Sequence, residues 1–258
     1  MKKVLSFVLS VVMTLSLAIP AFAAESTNMT QEDIRNEIIE IIANADTVEE
    51  RDAQLCAFLE KNPLEPIQMA RSSTGEALLE LVKTVDVDKN TQVDFYSTGD
   101  FGIRELEDLG ITATNARAVS YTNTYRASYT IKNIFGGKIV ETYVKGYFKY
   151  DGTSIPTPYL EDAGYSKGTL IFWDCSSWDD GTGRNYRDNS AYCYADAYYD
   201  WTIDVSLGGS AGGDLGGGVE GEINGSVSDG LTIQDCNVYL KLICSKTGAI
   251  SASVSIED

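Results

Sequence analysis

Residues 191–207 read AYCYADAYYDWTIDVSL, and every odd position from Ala191 to Leu207 is small or apolar. The parity runs on through Gly209, Ala211, Gly213, Leu215, Gly217, Val219, Gly221, Ile223 and Gly225 to Val227. Even positions are polar or glycine, apart from Tyr192, Tyr194 and Tyr198. Successive side chains of a strand point to opposite faces, so this period of two predicts β structure. The run is too long for one ordinary strand and should fold back on itself. The glycines between Gly208 and Gly218 are the expected place of reversal.

The neighbouring segments extend the sheet. Upstream, Tyr121, Tyr125, Tyr129 and Ile131 alternate with polar residues, Gly136-Gly137 reads as a hairpin turn, and Lys138 to Tyr150 returns. Thr169 to Cys175 reads as a further strand, followed by a polar loop through Asp179-Asp180-Gly181-Thr182-Gly183. Downstream, Leu231 to Cys244 and Ala249 to Ile256 flank a Ser245-Lys246-Thr247-Gly248 turn. Strands separated by turn signals at this density predict an antiparallel sandwich or open barrel over residues 118–258.

Residues 25–117 read differently. Thr30 with Asp33 makes a capping box before Ile34, Ile38, Ile41 and Ile42 at helical spacing. Thr47 with Glu50 repeats the signal before Leu55, Phe58 and Leu59, and Asn62-Pro63 ends it. A third helix is predicted over Gly75 to Lys83 and a fourth around Ile103 to Leu109, with Met69–Thr74 and Val85–Thr91 as linkers. The predicted fold class is therefore α+β: a small acidic helical region followed by an all-antiparallel β domain.

Residues 1–24 carry Lys2 and Lys3, an apolar run from Val4 to Ile19, and Pro20-Ala21-Phe22-Ala23, the pattern of a secretory signal peptide. The expected location is outside the cell. The chain has 258 residues, 38 acidic and 20 basic, for a net charge of −18; removal of Lys2 and Lys3 takes −18 to −20. Such a charge argues against nucleic acid and anionic lipid surfaces as partners. Histidine is absent, which removes the commonest general base and the commonest transition-metal ligand together.

Five cysteines in a secreted chain imply at least one disulfide. Cys175 and Cys193 fall on the apolar parity of two consecutive predicted strands and are the expected pair, in a loop short enough for the bond to be worth about 3 kcal/mol. Cys236 and Cys244 share one parity in a single strand, roughly 26 Å apart, and so do not pair with each other. Cross-pairing among these four remains open, and Cys56 lies in a helical pattern.

Gly146-Tyr147-Phe148-Lys149-Tyr150-Asp151-Gly152 and Leu242-Ile243-Cys244-Ser245-Lys246-Thr247-Gly248 resemble two recurring motifs of secreted β-rich proteins from clostridial bacteria. These are a G-x-F-x-Y-[DN]-G strand end and a terminal L-x-C-x-K-x-G hairpin. Ile103 to Ile111 also looks like the helical segment that precedes the β domain there. The resemblance covers roughly residues 100–258 and implies a secreted β-rich domain with no catalytic residue to carry over. This chain departs from the pattern in its longer glycine-rich hairpin and its extra cysteines.

The polar face of the first hairpin arm carries Tyr192, Tyr194, Asp196, Tyr198 and Asp200, with Trp178 and Tyr186 in the adjacent predicted loop. Aromatic rings and carboxylates spaced by two on one face stack on sugar rings and accept hydrogen bonds from their hydroxyls. The same tyrosines also suit cross-strand packing on a solvated face. A hydrolase using Asp179, Asp196 or Asp200 is disfavoured: acids four apart on one strand lie roughly 13 Å apart, too far for a glycosidase pair. Asp86-x-Asp88-x-Asn90 begins like a calcium loop, but Thr91 replaces its glycine and Ser97 its final glutamate. Asp179, Asp180 and Asp188 are a weaker calcium candidate.

The expected function is that of a secreted, non-enzymatic binding module for a glycan or cell-envelope component, without cofactor or metal. The alternative is a pore-forming protein that inserts a β-hairpin over 202–227, alternating lipid-facing and lumen-facing residues; only that reading gives the protein a membrane partner.

Overall fold

A computed structural model of the chain describes residues 29–66, 79–110, 120–168, 173–203 and 231–257. At 201–203, 231–234 and 257 it describes the backbone alone. The signal-peptide pattern and most of the 202–227 hairpin lie outside the described residues.

Two helices open the described chain, α1 (Gln31–Asn44) and α2 (Val48–Leu59). The first buries Ile34, Ile38 and Ile42, one stripe of its surface. Thr47 caps the second, its hydroxyl accepting the Glu50 amide at 3.1 Å as the capping signal predicts.

From there the chain is antiparallel β. The strands are β1 (Leu81–Asp86), β2 (Thr91–Tyr96), β3 (Phe101–Asp108), β4 (Ser120–Tyr121), β5 (Tyr125–Lys132), β6 (Lys138–Tyr150), β7 (Thr157–Lys167), β8 (Trp173–Asn185), β9 (Ser190–Ile203), β10 (Leu231–Ser245) and β11 (Ile250–Glu257). In the first sheet β1, β2, β3, β5 and β6 pair in that order. β4 and β7 also pair with β6, β4 against its last residues and β7 against Val140–Lys149. The second sheet is a meander, β8-β9-β10-β11.

The two sheets pack face to face. β9 turns Ala191, Cys193, Ala195, Ala197 and Tyr199 inward, and β10 turns in Cys236, Val238, Leu240, Leu242 and Cys244, all fully buried. They meet Ala127, Tyr129 and Ile131 of β5 and Val144 and Phe148 of β6. A glycine on β6 lets the layers approach: a Cβ on Gly146 would stand 2.9 Å from Cys193 Sγ of β9 and 2.6 Å from the Tyr159 carbonyl. Thr142 Oγ1 and the Tyr199 hydroxyl share a buried hydrogen bond of 2.8 Å across the same gap.

The helices cover part of the other face of the first sheet, where Val93, Phe95, Phe101 and Ile103 are buried. Arg51 of α2 makes a two-pronged bond to Glu105 of β3 (2.5 and 3.2 Å), and buried Lys132 of β5 reaches Asp52 at 2.9 Å. Gly136, at φ 79°, lets the β5–β6 turn touch α2: an added Cβ would sit 3.1 Å from the Leu55 backbone.

Three expectations need correction. The helix predicted around Ile103–Leu109 is strand β3, with Phe101, Ile103 and Glu105 toward the helices and Gly102, Arg104 and Leu106 toward the second sheet. Within the range of the third predicted helix, Leu81–Lys83 belong to β1; its beginning lies outside the described residues. The separation into 25–117 and 118–258 is crossed by the sheet itself, since β3 pairs with β5 from end to end and Gln31–Asp258 forms one compact unit.

Candidate functional site

The hairpin arm that predicts the fold is β9, but its partner is β10, starting with Leu231 opposite Ile203. β9 therefore lies between β8 and β10, and its outward side chains meet neighbours on both sides. Tyr192 stands opposite Gly183 of β8 and Ile243 of β10; Tyr194 stands opposite Gly181 and Lys241. The two glycines have a steric reason. An added Cβ would lie 2.3 Å from the Tyr192 ring at Gly183 and 3.1 Å from the Tyr194 ring at Gly181, so both rings lie across β8 where it has no side chains.

Tyr239 of β10 joins them. Its ring centroid is 5.6 Å from Tyr194, and Tyr192 and Tyr194 are 6.2 Å apart. Lys241 Nζ rests over Tyr239 at 4.4 Å and over Tyr192 at 5.0 Å, a cation held by two ring faces. The Tyr194 hydroxyl donates to Asp179 at 2.8 Å, and that bond raises its pKa. Burial, then Tyr192, pushes Tyr239 up to about 12, so Tyr194 and Tyr239 both stay neutral donors at physiological pH.

Beside this aromatic patch, at the β8–β9 turn, is a cleft of about 380 Å³. Tyr192 and Lys241 form one wall, Ser251 and Ser253 of β11 another, and Asn185 and Asp188 come from the turn. A second cleft of about 420 Å³ opens between the start of β7 and the end of β8, lined by Thr157, Pro158, Thr182, Gly183, Arg184 and Tyr186.

The other predicted site residues separate. Tyr198 donates to Asp235 and is drawn away from the Tyr192 patch; that bond pushes its pKa up to about 12. Trp178 is in β8, not in a loop, and stands opposite Ala197 on the inward face. It packs on Tyr165 at 5.3 Å and donates to Asp180 at 3.0 Å, on the wrong side of the sheet to join the tyrosines. Asp196 is the cross-strand partner of Asp179 and of Tyr239. Asp200 falls in register with Asp174 and Asp235, a row of acids across three strands.

Each acid of that row has its own partner: Asp174 takes Lys167 at 3.0 Å, Asp200 the Ser176 hydroxyl and Asp235 Tyr198. Among the described residues, no cluster of three or more acids or cysteines is placed to hold a metal. Asp88 of the calcium-like motif instead accepts the Asn90 and Thr91 amides at 2.6 and 2.7 Å, an ordinary turn.

The expected Cys175–Cys193 disulfide is not formed. Cys175 is opposite Tyr199 and Cys193 opposite Thr182, because β8 runs straight through the segment predicted as a loop and turns only after Asn185. The five cysteines form no disulfide. Burial pushes the Cys193 and Cys244 thiols up to about 12, leaving them unreactive in the folded protein. Titration of the unfolded, unreduced protein should count five thiols, and Cys193, Cys236 and Cys244 should resist alkylation until unfolding; a count of three would overturn this arrangement.

Tyr239 and Lys241 are the residues that sequence reasoning missed. Their signal was available: they share the outward parity of a strand whose alternate residues, Val238, Leu240 and Leu242, are apolar. Only the β9–β10 register shows that they lie beside Tyr194. Comparison of the chain with protein-family models, curated proteins and solved structures finds no match.

Proposed function

We propose that the protein is a secreted, non-enzymatic module that binds a glycan of the extracellular environment or cell envelope through the outward face of its second sheet. The observation that carries this reading is the cleft of about 380 Å³ bordered by Tyr192 and Lys241, with Tyr194 and Tyr239 beside it. A tyrosine ring fixed by its neighbours offers a flat apolar surface to a pyranose. Ser251, Ser253 and Asn185 supply hydroxyl and amide groups for sugar hydroxyls at its edge.

A non-enzymatic role suits the carboxylates. Asp179 and Asp196 are neighbours, but they lie on an open sheet face, and neither lines either cleft described above. A glycosidase holds its two acids on opposite sides of the bond it cleaves. Among the described residues, no helix is long and apolar enough to cross a membrane.

The test is retention of the mature chain on a panel of immobilised polysaccharides, repeated with Tyr192→Ala. Loss of the ring should weaken the retained interaction about tenfold, as expected for an aromatic anchor at the centre of a site. Tyr198→Ala, outside the patch, should leave retention unchanged. Equal retention of Tyr192→Ala and the parent would exclude this cleft.

A further inference from the structure

The cations of this acidic chain are unevenly used. The ion pairs among the described residues, from Arg51–Glu105 to Lys167–Asp174, involve no residue of the β8–β9 or β10–β11 turns. These turns are side by side, because Ser190 is the cross-strand partner of both Asn185 and Ser245. Arg184, Arg187, Lys241 and Lys246 are all at this end of the second sheet, and none of them has a carboxylate partner among the described residues. Lys149 belongs to the same end: it stands opposite Thr157 of the second cleft, and the next residue, Tyr150, lies under Gly248 of the β10–β11 turn.

Each cleft thus pairs one tyrosine with one uncommitted cation: Tyr192 with Lys241 on the outward face, and, round the end of β8 on the side toward β7, Tyr186 with Arg184, which stands opposite Ala191. Asp188 is the acid in the first cleft, and the Asn185 amide holds it at 2.7 Å. In a protein of net charge −18, this end gathers cations that carry no carboxylate partner, where an anion meets less repulsion than over the rest of the acidic chain. Lys241 rests on two ring faces rather than on a carboxylate, which leaves its ammonium available to an anion in the cleft.

We infer that the ligand of this end is an anionic polysaccharide, its sugar rings taken by Tyr192 and Tyr186 and its acidic groups by Lys241 and Arg184. The inference rests on the glycan reading above and narrows it to acidic chains. Its shared chemistry is an anionic group on a pyranose, whether carboxylate or sulfate.

The experiment is titration calorimetry of the mature chain with oligogalacturonate, a heparin-derived hexasaccharide, a neutral galactan oligosaccharide and single-stranded DNA of matched charge. Binding of one or both acidic oligosaccharides at least about tenfold tighter than the neutral one, weakening with salt, is expected. The carboxylate-only and sulfated probes identify which acid is preferred. Lys241→Gln and Arg184→Gln should each cost more affinity for the acidic oligosaccharide than for the neutral one, and Lys241→Arg should restore the preference, which separates loss of charge from loss of folding. Equal affinity for acidic and neutral sugars would overturn the inference and leave the glycan reading standing. Binding of DNA as tight as that of the acidic sugars would overturn it as general attraction of polyanions. Binding of no sugar at all would overturn both readings.

Discussion

A chain beginning at Ala118, where the composition changes from helical to β, is expected not to fold. Strand β5 would lose β3, its partner from Tyr125 to Lys132, and become an unpaired edge. The same cut removes Val93, Phe95, Tyr96, Phe101 and Ile103, each almost wholly buried. At about 1.5–3 kcal/mol for each such side chain, the loss matches or exceeds the roughly 5–15 kcal/mol that holds a typical domain together. It would also uncover Lys132, 1% exposed and paired with Asp52 of α2. The 118–258 fragment should show no cooperative urea transition and poor dispersion of its amide resonances, whereas 29–258 should show both a single transition and dispersed resonances. A fragment that unfolds cooperatively would mean that the β domain stands without the helices and β1–β3, contrary to the sheet described here.

The same region shows what was legible in the sequence and what was not. Strand β9 could be read because one of its faces is solvated, so its alternation survives in composition, and the inward set Ala191 to Tyr199 is the buried set. Strand β3 could not, because both its faces are covered near Phe101–Ile103, and its Ile103 and Leu106 then fall at a spacing that suits a helix equally well. Strand β8 was concealed in another way. Asp179-Asp180-Gly181-Thr182-Gly183 has the composition of a loop, and its glycines are strand residues only because the Tyr194 and Tyr192 rings of the next strand occupy the space a side chain would fill. That compensation depends on register, which composition does not carry. Misplacing β8 then propagated: it put Trp178 among the outward tyrosines and Cys175 beside Cys193. The aromatic site was thus half legible, Tyr192 and Tyr194 from alternation, Tyr239 and Lys241 only from pairing.

Replacing Asp100 by asparagine is expected to stabilise the protein at neutral pH and to do almost nothing in acid. Asp100 closes the β2–β3 turn, its carboxylate accepting the Thr98 hydroxyl at 2.8 Å and the Ile134 amide. It also borders a cavity of only about 10 Å³ among Leu79, Ile131, Ile139, Val140, Trp173 and Cys236. Burial in that apolar corner raises its pKa from 3.8 to about 6, outweighing the two hydrogen bonds that favour the anion. The sign follows from proton uptake. Below pH 3.8 folded and unfolded chains are both protonated at this site and no penalty exists; between pH 3.8 and 6 the unfolded chain ionises first, so stability falls as pH rises. Above pH 6 the cost of holding the anion in this part-buried corner is present in full, at most about 3 kcal/mol for a rise of this size and less where solvent reaches the carboxylate. Asparagine keeps one acceptor oxygen, which can serve Thr98, and carries no charge at any pH. The difference in unfolding free energy between Asp100→Asn and the parent, from urea titrations, should therefore grow from near zero at pH 3.5 to about 2–3 kcal/mol in favour of the variant at pH 7.5. Taking the difference cancels the remaining carboxylates, whose own titration dominates the pH dependence of so acidic a chain. A variant whose stability falls further below the parent as pH rises would show that the anion is held favourably, and a difference independent of pH would place its origin in packing or hydrogen bonding rather than charge.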